Sequence, residues 1–212
     1  QNIFLDIKKM KMHIWDDQKG HLEVPFRKYA YVKHSNGQHV SLYGDRLKKV
    51  TTFDKDDPTL HESDVPPTTR FLVDNYGDSD EMSVGHRIMF FDIEVEVTDG
   101  FPDVQKAQNV ITSIALYDCI TEKYFTYCFD PEKRIKSYTK DDEVVEFYDT
   151  EYEMLNKFFQ KYLEIRPTIV SGWNSEFFDI PYLYNRAVRV LGPEVANLLS
   201  PISQVLYSEY KK

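Results

Sequence analysis

Long hydrophobic runs are missing from these 212 residues. No window reaches the roughly 20 apolar residues of a membrane-spanning helix, and none has the pattern of a signal peptide. The expectation is a soluble chain without a membrane partner, retained in the cytoplasm. Cysteine is scarce as well: Cys119 and Cys128 stand alone, with no CxxC and no histidine nearby. Neither a zinc site nor a disulfide framework is indicated, and both read as reduced core or strand thiols. All six histidines precede residue 88, and none has the spacing of a ligand set. A basic excess is lacking too, since 26 Lys and Arg face 35 Asp and Glu for a net charge of −9. No long basic channel for a polyanion is visible. Internal repeats and low-complexity tracts are absent.

The charge is unevenly spread. Residues 1–50 hold ten basic side chains against five acids, whereas residues 51–87 and 88–212 are both acidic. The basic segment is interleaved with Trp15, Phe26, Tyr29 and Tyr31. It reads either as a surface beside a nucleic acid strand or as a solvated basic face. With 42% hydrophobic residues the chain has enough apolar material for one large or two small cores.

Short strands are expected at Asn2 to Asp6, Lys11 to Trp15, Tyr29 to Lys33 and His39 to Leu42, with Asn36-Gly37 as a hairpin signal. Residues 54–81, rich in Asp, Pro and Thr, read as a surface connection carrying a short segment near Arg70 to Val73. A domain boundary is expected near Gly85 to Arg87. Beyond it, strands are expected at Ile88 to Val97, Val110 to Asp118 and Lys123 to Phe129, followed by an acidic, Lys-rich loop. Met154, Leu155, Phe158, Phe159, Tyr162 and Leu163 recur at helical spacing, which predicts an amphipathic helix over 151–164, stopped by Pro167. A strand at Thr168 to Ser171, a turn at Gly172-Trp173-Asn174 and a helix from Tyr182 to Leu191 complete a mixed α/β pattern.

Two acidic motifs carry the chemistry. In Phe91-Asp92-Ile93-Glu94, the period of two points both carboxylates the same way. They lie about 6.5–7 Å apart along the strand, a spacing suited to a shared pair of cations. The preceding Ile88-Met89-Phe90-Phe91 is the apolar run of a strand buried on both faces. Carboxylates at its end would need a neutralising partner, for which a hard divalent cation is suited. Alternation of Asp92, Glu94 and Glu96 with Ile93, Val95 and Val97 is also how an ordinary half-exposed strand reads. The second motif runs from Trp173 to Asp179. Asp179 precedes Ile180-Pro181 at a helix start, so helix capping is its other explanation.

Phe91-Asp92-Ile93-Glu94, then Asp99-Gly100-Phe101-Pro102, then Ser171 through Arg186 in that order resemble the first two exonuclease motifs of family B DNA polymerases. Within that family the likeness is to replicative polymerases of the T-even-like phage branch. It covers residues 88 to 205 and includes the Leu198-Leu199-Ser200-Pro201 stretch. It is looser before residue 88, where Phe26 to Val32 and His39 to Tyr43 look like that family's N-terminal domain.

The resemblance implies a small β-rich N-terminal domain over 1–87 and a partial RNase H-like 3′-to-5′ exonuclease domain over 88–212. It implies that Asp92, Glu94 and Asp179 are three of four carboxylates holding two Mg²⁺ ions, with Mn²⁺ as a substitute. Such cations activate a water and stabilise the attacking and leaving oxygens of a phosphodiester. An all-carboxylate set suits magnesium. Asn174 matches the amide that contacts the terminal nucleotide, or is a turn residue. Phe178 and the loop residue Phe101 are candidates to stack on bases of a single-stranded DNA 3′ end. Phe177 and Phe178 could equally be core, and Phe101 could fold back onto its own domain. Trp173 reads as structural.

The family's fourth carboxylate belongs to a third motif about a hundred residues further on. The 33 residues after Asp179 contain no Asp, only Glu194 and Glu209. The expected reading is therefore the N-terminal, proofreading portion of a larger polymerase, weak or inactive by itself. Its partner is the polypeptide carrying the third motif and the palm. If phage-encoded, it works in a bacterial host cytoplasm. A non-catalytic DNA- or partner-binding module of a split polymerase, and a stand-alone exonuclease, are the alternatives.

Overall fold

The alternating apolar and polar residues before residue 51 become six short strands in the computed structural model. It describes residues 2–16, 19–80, 82, 84–98 and 100–205. Asp99 and Glu209 lie outside the described residues. The chain divides into two compact units, 1–85 and 86–212.

In the first unit, β1 (Asn2–Asp6), β2 (Lys11–Asp16) and β3 (Gly20–Pro25) form an antiparallel meander. A second sheet holds β4 (Ala30–Lys33), β5 (His39–Val40) and β6 (Arg46–Val50) in the order β4-β6-β5. The Asn36-Gly37 turn does form, with the Gly37 amide donating to His34 O at 2.8 Å. It does not join a hairpin, because β6 lies between the strands it connects. Gly37 is needed for another reason: a Cβ there would sit 2.3 Å from the Leu47 backbone. The expected connection over 54–81 contains a full helix, α1 (Pro67–Tyr76), with Pro in its first turn. Its Phe71 joins Met12, Ile14 and Phe26 in a small core. The helix was hard to foresee because it buries so little apolar surface and begins in a Pro- and Thr-rich stretch.

The second unit is built on one six-stranded mixed sheet. Its strands are β7 (Ile88–Val95), β8 (Ile111–Asp118), β9 (Lys123–Phe129), β10 (Tyr138–Lys140), β11 (Glu143–Tyr148) and β12 (Ile169–Ser171). The order is β10-β11-β9-β8-β7-β12. β8 pairs antiparallel with both β7 and β9, while β12 runs parallel to β7. The expected loop after β9 contains β10 and β11. β11 pairs parallel to β9, so its Val-Val-Glu-Phe-Tyr run is a strand despite the charged residues before it.

Helix α2 (Glu151–Ile165) starts at Thr150, whose hydroxyl accepts from the Glu153 amide at 3.2 Å and donates to the Glu153 carboxylate at 2.9 Å. Thr150 thus acts as a side-chain N-cap, in the Thr-x-x-Glu order that favours a helix start. It ends at Arg166 in the left-handed conformation, with Pro167 next. Helix α3 (Ile180–Val190) comes after β12, and a short α4 (Pro193–Ala196) leads into a final 3₁₀ turn. Met154, Leu155, Phe158 and Phe159 of α2 and Tyr182, Leu183 and Ala187 of α3 bury one face of the sheet around Met89, Phe91, Ile93, Ile114 and Leu116. Burial of each such large side chain stabilises the fold by about 1.5–3 kcal/mol.

Candidate active site

Strand β7 brings Asp92 and Glu94 to the site by simple alternation. Met89, Phe91 and Ile93 face the helices and are buried, while Phe90, Asp92 and Glu94 are exposed on the other face. Burial of the Ile88 to Phe91 run on both faces is therefore not what occurs, since Phe90 is 47% exposed. The helices cover only one face of this part of the sheet. Asp92 and Glu94 consequently bear little burial cost of their own. The β7–β8 register shifts between Glu94 and Val95. Bulges of this kind bend a strand and re-aim the neighbouring side chains.

Asp179 arrives by a less regular route. β12 ends at Ser171, paired with Phe90, and Gly172 then passes close to the next residue of β7. A Cβ on Gly172 would lie 2.3 Å from the Phe91 carbonyl oxygen, so only glycine permits the approach. Asn174 adopts the left-handed conformation with φ 60°, which asparagine tolerates better than most residues. Its carbonyl accepts from the Phe177 and Phe178 amides at 3.1 and 3.0 Å. Ser175–Asp179 is a single π-helical turn that runs into α3. Such turns are rare and are frequently found at functional sites. Asp179 has helical backbone angles and makes no side-chain cap hydrogen bond, so capping does not explain it.

The Asp179 side chain is only 4% exposed. Desolvation raises its pKa above the usual carboxylate value, and the charges of Asp92 and then Glu94 push it further in the same direction. A backbone hydrogen bond from Ile93 works against them. The three carboxylates are thus near enough to repel, with the penalty concentrated on the buried one. They do not share a single ligand shell. Among the described residues, the only His, Cys, Asp or Glu trio with ligand atoms within 4.8 Å of one another is His13, His21 and Glu23, in the first unit. Sequence spacing gave those histidines no ligand role, and the hairpin brings them together.

Aromatic side chains gather beside Asp179. Phe101 is 81% exposed, yet its ring centroid is 5.1 Å from that of Phe178, which in turn lies 5.4 Å from Tyr182. Phe178 is half-buried and links an exposed ring to the core, whereas Phe177 is exposed. Asn174 is exposed and serves as the turn residue. The structural role expected for Trp173 is not found: the side chain is 92% exposed, because the sharp turn after Gly172 throws it outward.

The loop between β7 and β8 is fastened by residues of α3 and α2 that receive no role from the sequence alone. Arg186 makes a bidentate pair with Glu151 at 2.8 and 2.6 Å and donates to Gln108 O at 2.7 Å. Glu151 also accepts from the Ile111 amide at 2.9 Å. Tyr182 donates to Asn109 O, Asn185 to Val104 O and Arg189 to Lys106 O. These α3 residues form an i, i+3, i+4, i+7 stripe. That periodicity of hydrogen-bonding side chains was the signal available in the sequence.

A mixed sheet covered by helices on one face, with carboxylates at the end of a central strand and on the adjoining turn, has RNase H-like nuclease architecture. The family model for the exonuclease domain of DNA polymerase family B matches residues 78–198. The chain belongs to that family, and its second unit carries the RNase H-like exonuclease fold. It is 32% identical over 138 residues to the DNA-directed DNA polymerase of Escherichia phage RB69, covering 54% of this chain and 15% of that protein. Similarity to the DNA-directed DNA polymerase of Enterobacteria phage T4 is 31% over 134 residues, covering 53% of this chain and 15% of the relative. DNA polymerase 1 of Saccharolobus solfataricus is 32% identical over 145 residues, 62% of this chain and 16% of the relative. The matched region is thus a small share of the length of these polymerases. Among the described residues no helix is long and apolar enough to cross a membrane.

Proposed function

We propose that this chain provides the N-terminal domain, residues 1–87, and the first part of the 3′-to-5′ proofreading exonuclease, residues 88–212, of a replicative family B DNA polymerase. The observation that carries the reading is the buried Asp179 carboxylate facing the charges of Asp92 and Glu94 beside exposed aromatic rings. An uncompensated cluster of this kind gains from cations, and a donor set made only of carboxylate oxygens fits hard ions such as Mg²⁺, with Mn²⁺ as a substitute. Asp92, Glu94 and Asp179 would hold them. When bound, a pair of such ions supplies an activated water and stabilises the charge on the attacking and leaving oxygens.

The chain's own residues then define how a strand end is received. Phe101 and Phe178 offer ring faces to the last bases of single-stranded DNA, where each stacked base contributes about 1–3 kcal/mol. Asn174 can donate to and accept from sugar and phosphate oxygens. The Arg186 network keeps the β7–β8 loop, and with it Phe101, beside Phe178. The fourth carboxylate of the family's site would come from a third motif, which these 212 residues do not contain. The isolated polypeptide is then expected to be weak or inactive, with the segment carrying that motif and the palm as its partner.

The test is digestion of a 3′-labelled single-stranded oligonucleotide with Mg²⁺ or Mn²⁺, using this polypeptide, the same with the downstream polypeptide added, and each with Asp92→Ala. Cleavage that needs the downstream part and disappears with Asp92→Ala is the expected result. Cleavage by the wild-type polypeptide alone would make it a self-sufficient nuclease. DNA binding without cleavage under every condition, unchanged by Asp92→Ala, would favour the non-catalytic module.

A further inference from the structure

The first unit holds a second cluster whose chemistry differs from that of the carboxylates. His13 and Glu23 are cross-strand partners in the β2–β3 pairing, and His21 lies two residues before Glu23, so all three share one face of the hairpin. His13 is only 3% exposed, while His21 and Glu23 are exposed. His13 Nδ1 lies 3.0 Å from His21 Nε2 and 4.0 Å from Glu23 Oε1. One ligand atom from each residue falls within 4.8 Å of the others.

We propose that His13, His21 and Glu23 form a binding site for a zinc-class divalent transition metal ion, held by two imidazole nitrogens and one carboxylate oxygen with a fourth position open to water. Two histidines and a carboxylate are a borderline donor set that suits Zn²⁺ far better than Mg²⁺. Zn–N bonds of about 2.0–2.1 Å in a tetrahedron separate the nitrogens by roughly 3.3–3.4 Å. The 3.0 Å separation seen here needs to open only slightly, by a small shift of the exposed His21.

Three neighbouring features bear on the site. Lys11 Nζ sits 2.7 Å from Glu23 Oε2, which leaves Oε1 as the oxygen facing His13. Exposed ion pairs of this kind are weak competitors. Trp15 stacks on His21 with ring centroids 4.9 Å apart and limits the directions in which that imidazole can turn. His13 Nε2 is buried without a hydrogen-bond partner. It lacks one with or without a metal on Nδ1, so ligation adds no new unsatisfied atom. The ion would clasp β2 to β3 and stabilise the unit by binding only the folded hairpin.

The experiment is Zn²⁺ titration of the EDTA-stripped 212-residue polypeptide by calorimetry, with Co²⁺ absorption as a second readout. The variants are His21→Ala and Glu23→Gln, both at exposed positions and checked for folding by circular dichroism, with Asp92→Ala as the control. The expected result is one bound Zn²⁺ per chain, a rise in melting temperature with Zn²⁺, and tetrahedral Co²⁺ bands. In His21→Ala, binding should weaken at least tenfold and the thermal shift should vanish, with Asp92→Ala behaving as wild type. Absence of stoichiometric Zn²⁺ binding, or binding unchanged in His21→Ala, would overturn the proposal. Zn²⁺ binding lost in Asp92→Ala instead would assign the ion to the carboxylate site and overturn it equally.

Discussion

The two segments that supply the candidate carboxylates reach the same place by opposite means. β7 presents Asp92 and Glu94 through ordinary strand alternation, on an exposed face, with the register shift falling only after Glu94. The segment from Gly172 to Asp179 uses a glycine pressed against the neighbouring strand, a left-handed asparagine and a π-turn, and it delivers a buried carboxylate. Regular structure suffices to display a charge to water. Holding one out of water beside two others takes exceptional backbone geometry and a well-anchored helix behind it.

The largest expected effect tests that anchor. Arg186→Ala would leave Glu151 buried and unpaired and release the Gln108 carbonyl, a loss of about 3–5 kcal/mol by the behaviour of broken buried pairs. Chemical denaturation would measure it, and a loss below about 1 kcal/mol would show that α3 is not held this way. Next comes Gly172→Ala, which forces a Cβ onto the Phe91 carbonyl. Destabilisation of about 1–3 kcal/mol is expected, the usual range for overpacking, together with reduced cleavage under the proposed exonuclease function. An unchanged melting temperature and activity would mean that the two segments need not approach so closely.

A smaller effect, of opposite sign, sharpens the contrast between buried and exposed carboxylates. Because the Asp179 pKa is raised in the folded chain, the folded state holds this proton more tightly than the unfolded state does. Its stability contribution therefore falls as pH rises past the ordinary aspartate range. In EDTA at neutral pH, Asp179→Asn should stabilise the fold, because it removes the charge that burial and the neighbouring carboxylates disfavour. The gain should fade toward acidic pH, and exposed Asp92→Asn should gain less. Equal gains for both would remove the distinction. Smallest of all, Trp173→Ala should change stability by less than about 0.5 kcal/mol, as surface substitutions do. A larger loss on thermal melting would restore the packing role read from sequence.

The same contrast governs what could be read in advance. The bounds of β1 and β9, and α2 to within a residue, follow from periodicity, because those segments obey local rules. The order of the two acidic motifs was enough to recognise the polymerase family, which the family match bears out. The π-turn, the exposure of Phe90 and Trp173, and the closeness of Gly172 to β7 depend on which faces the helices cover, and no local pattern encodes that. The His13, His21 and Glu23 cluster escaped notice because cross-strand register, rather than sequence spacing, brings it together.

The π-turn at Ser175–Asp179 makes the site sensitive to a count of residues as well as to their kinds. Such a turn carries one residue more than the α-turn it replaces. Deleting one residue there would let the segment rewind as an ordinary α-turn and erase the local bulge that aims Asp179 at β7. Every amino acid that matters would still be present, but the carboxylate would be re-aimed. Exposed Glu176 and Phe177 can therefore vary in identity while the number of residues stays fixed. Among related chains, this stretch is where an insertion or deletion should be rarest.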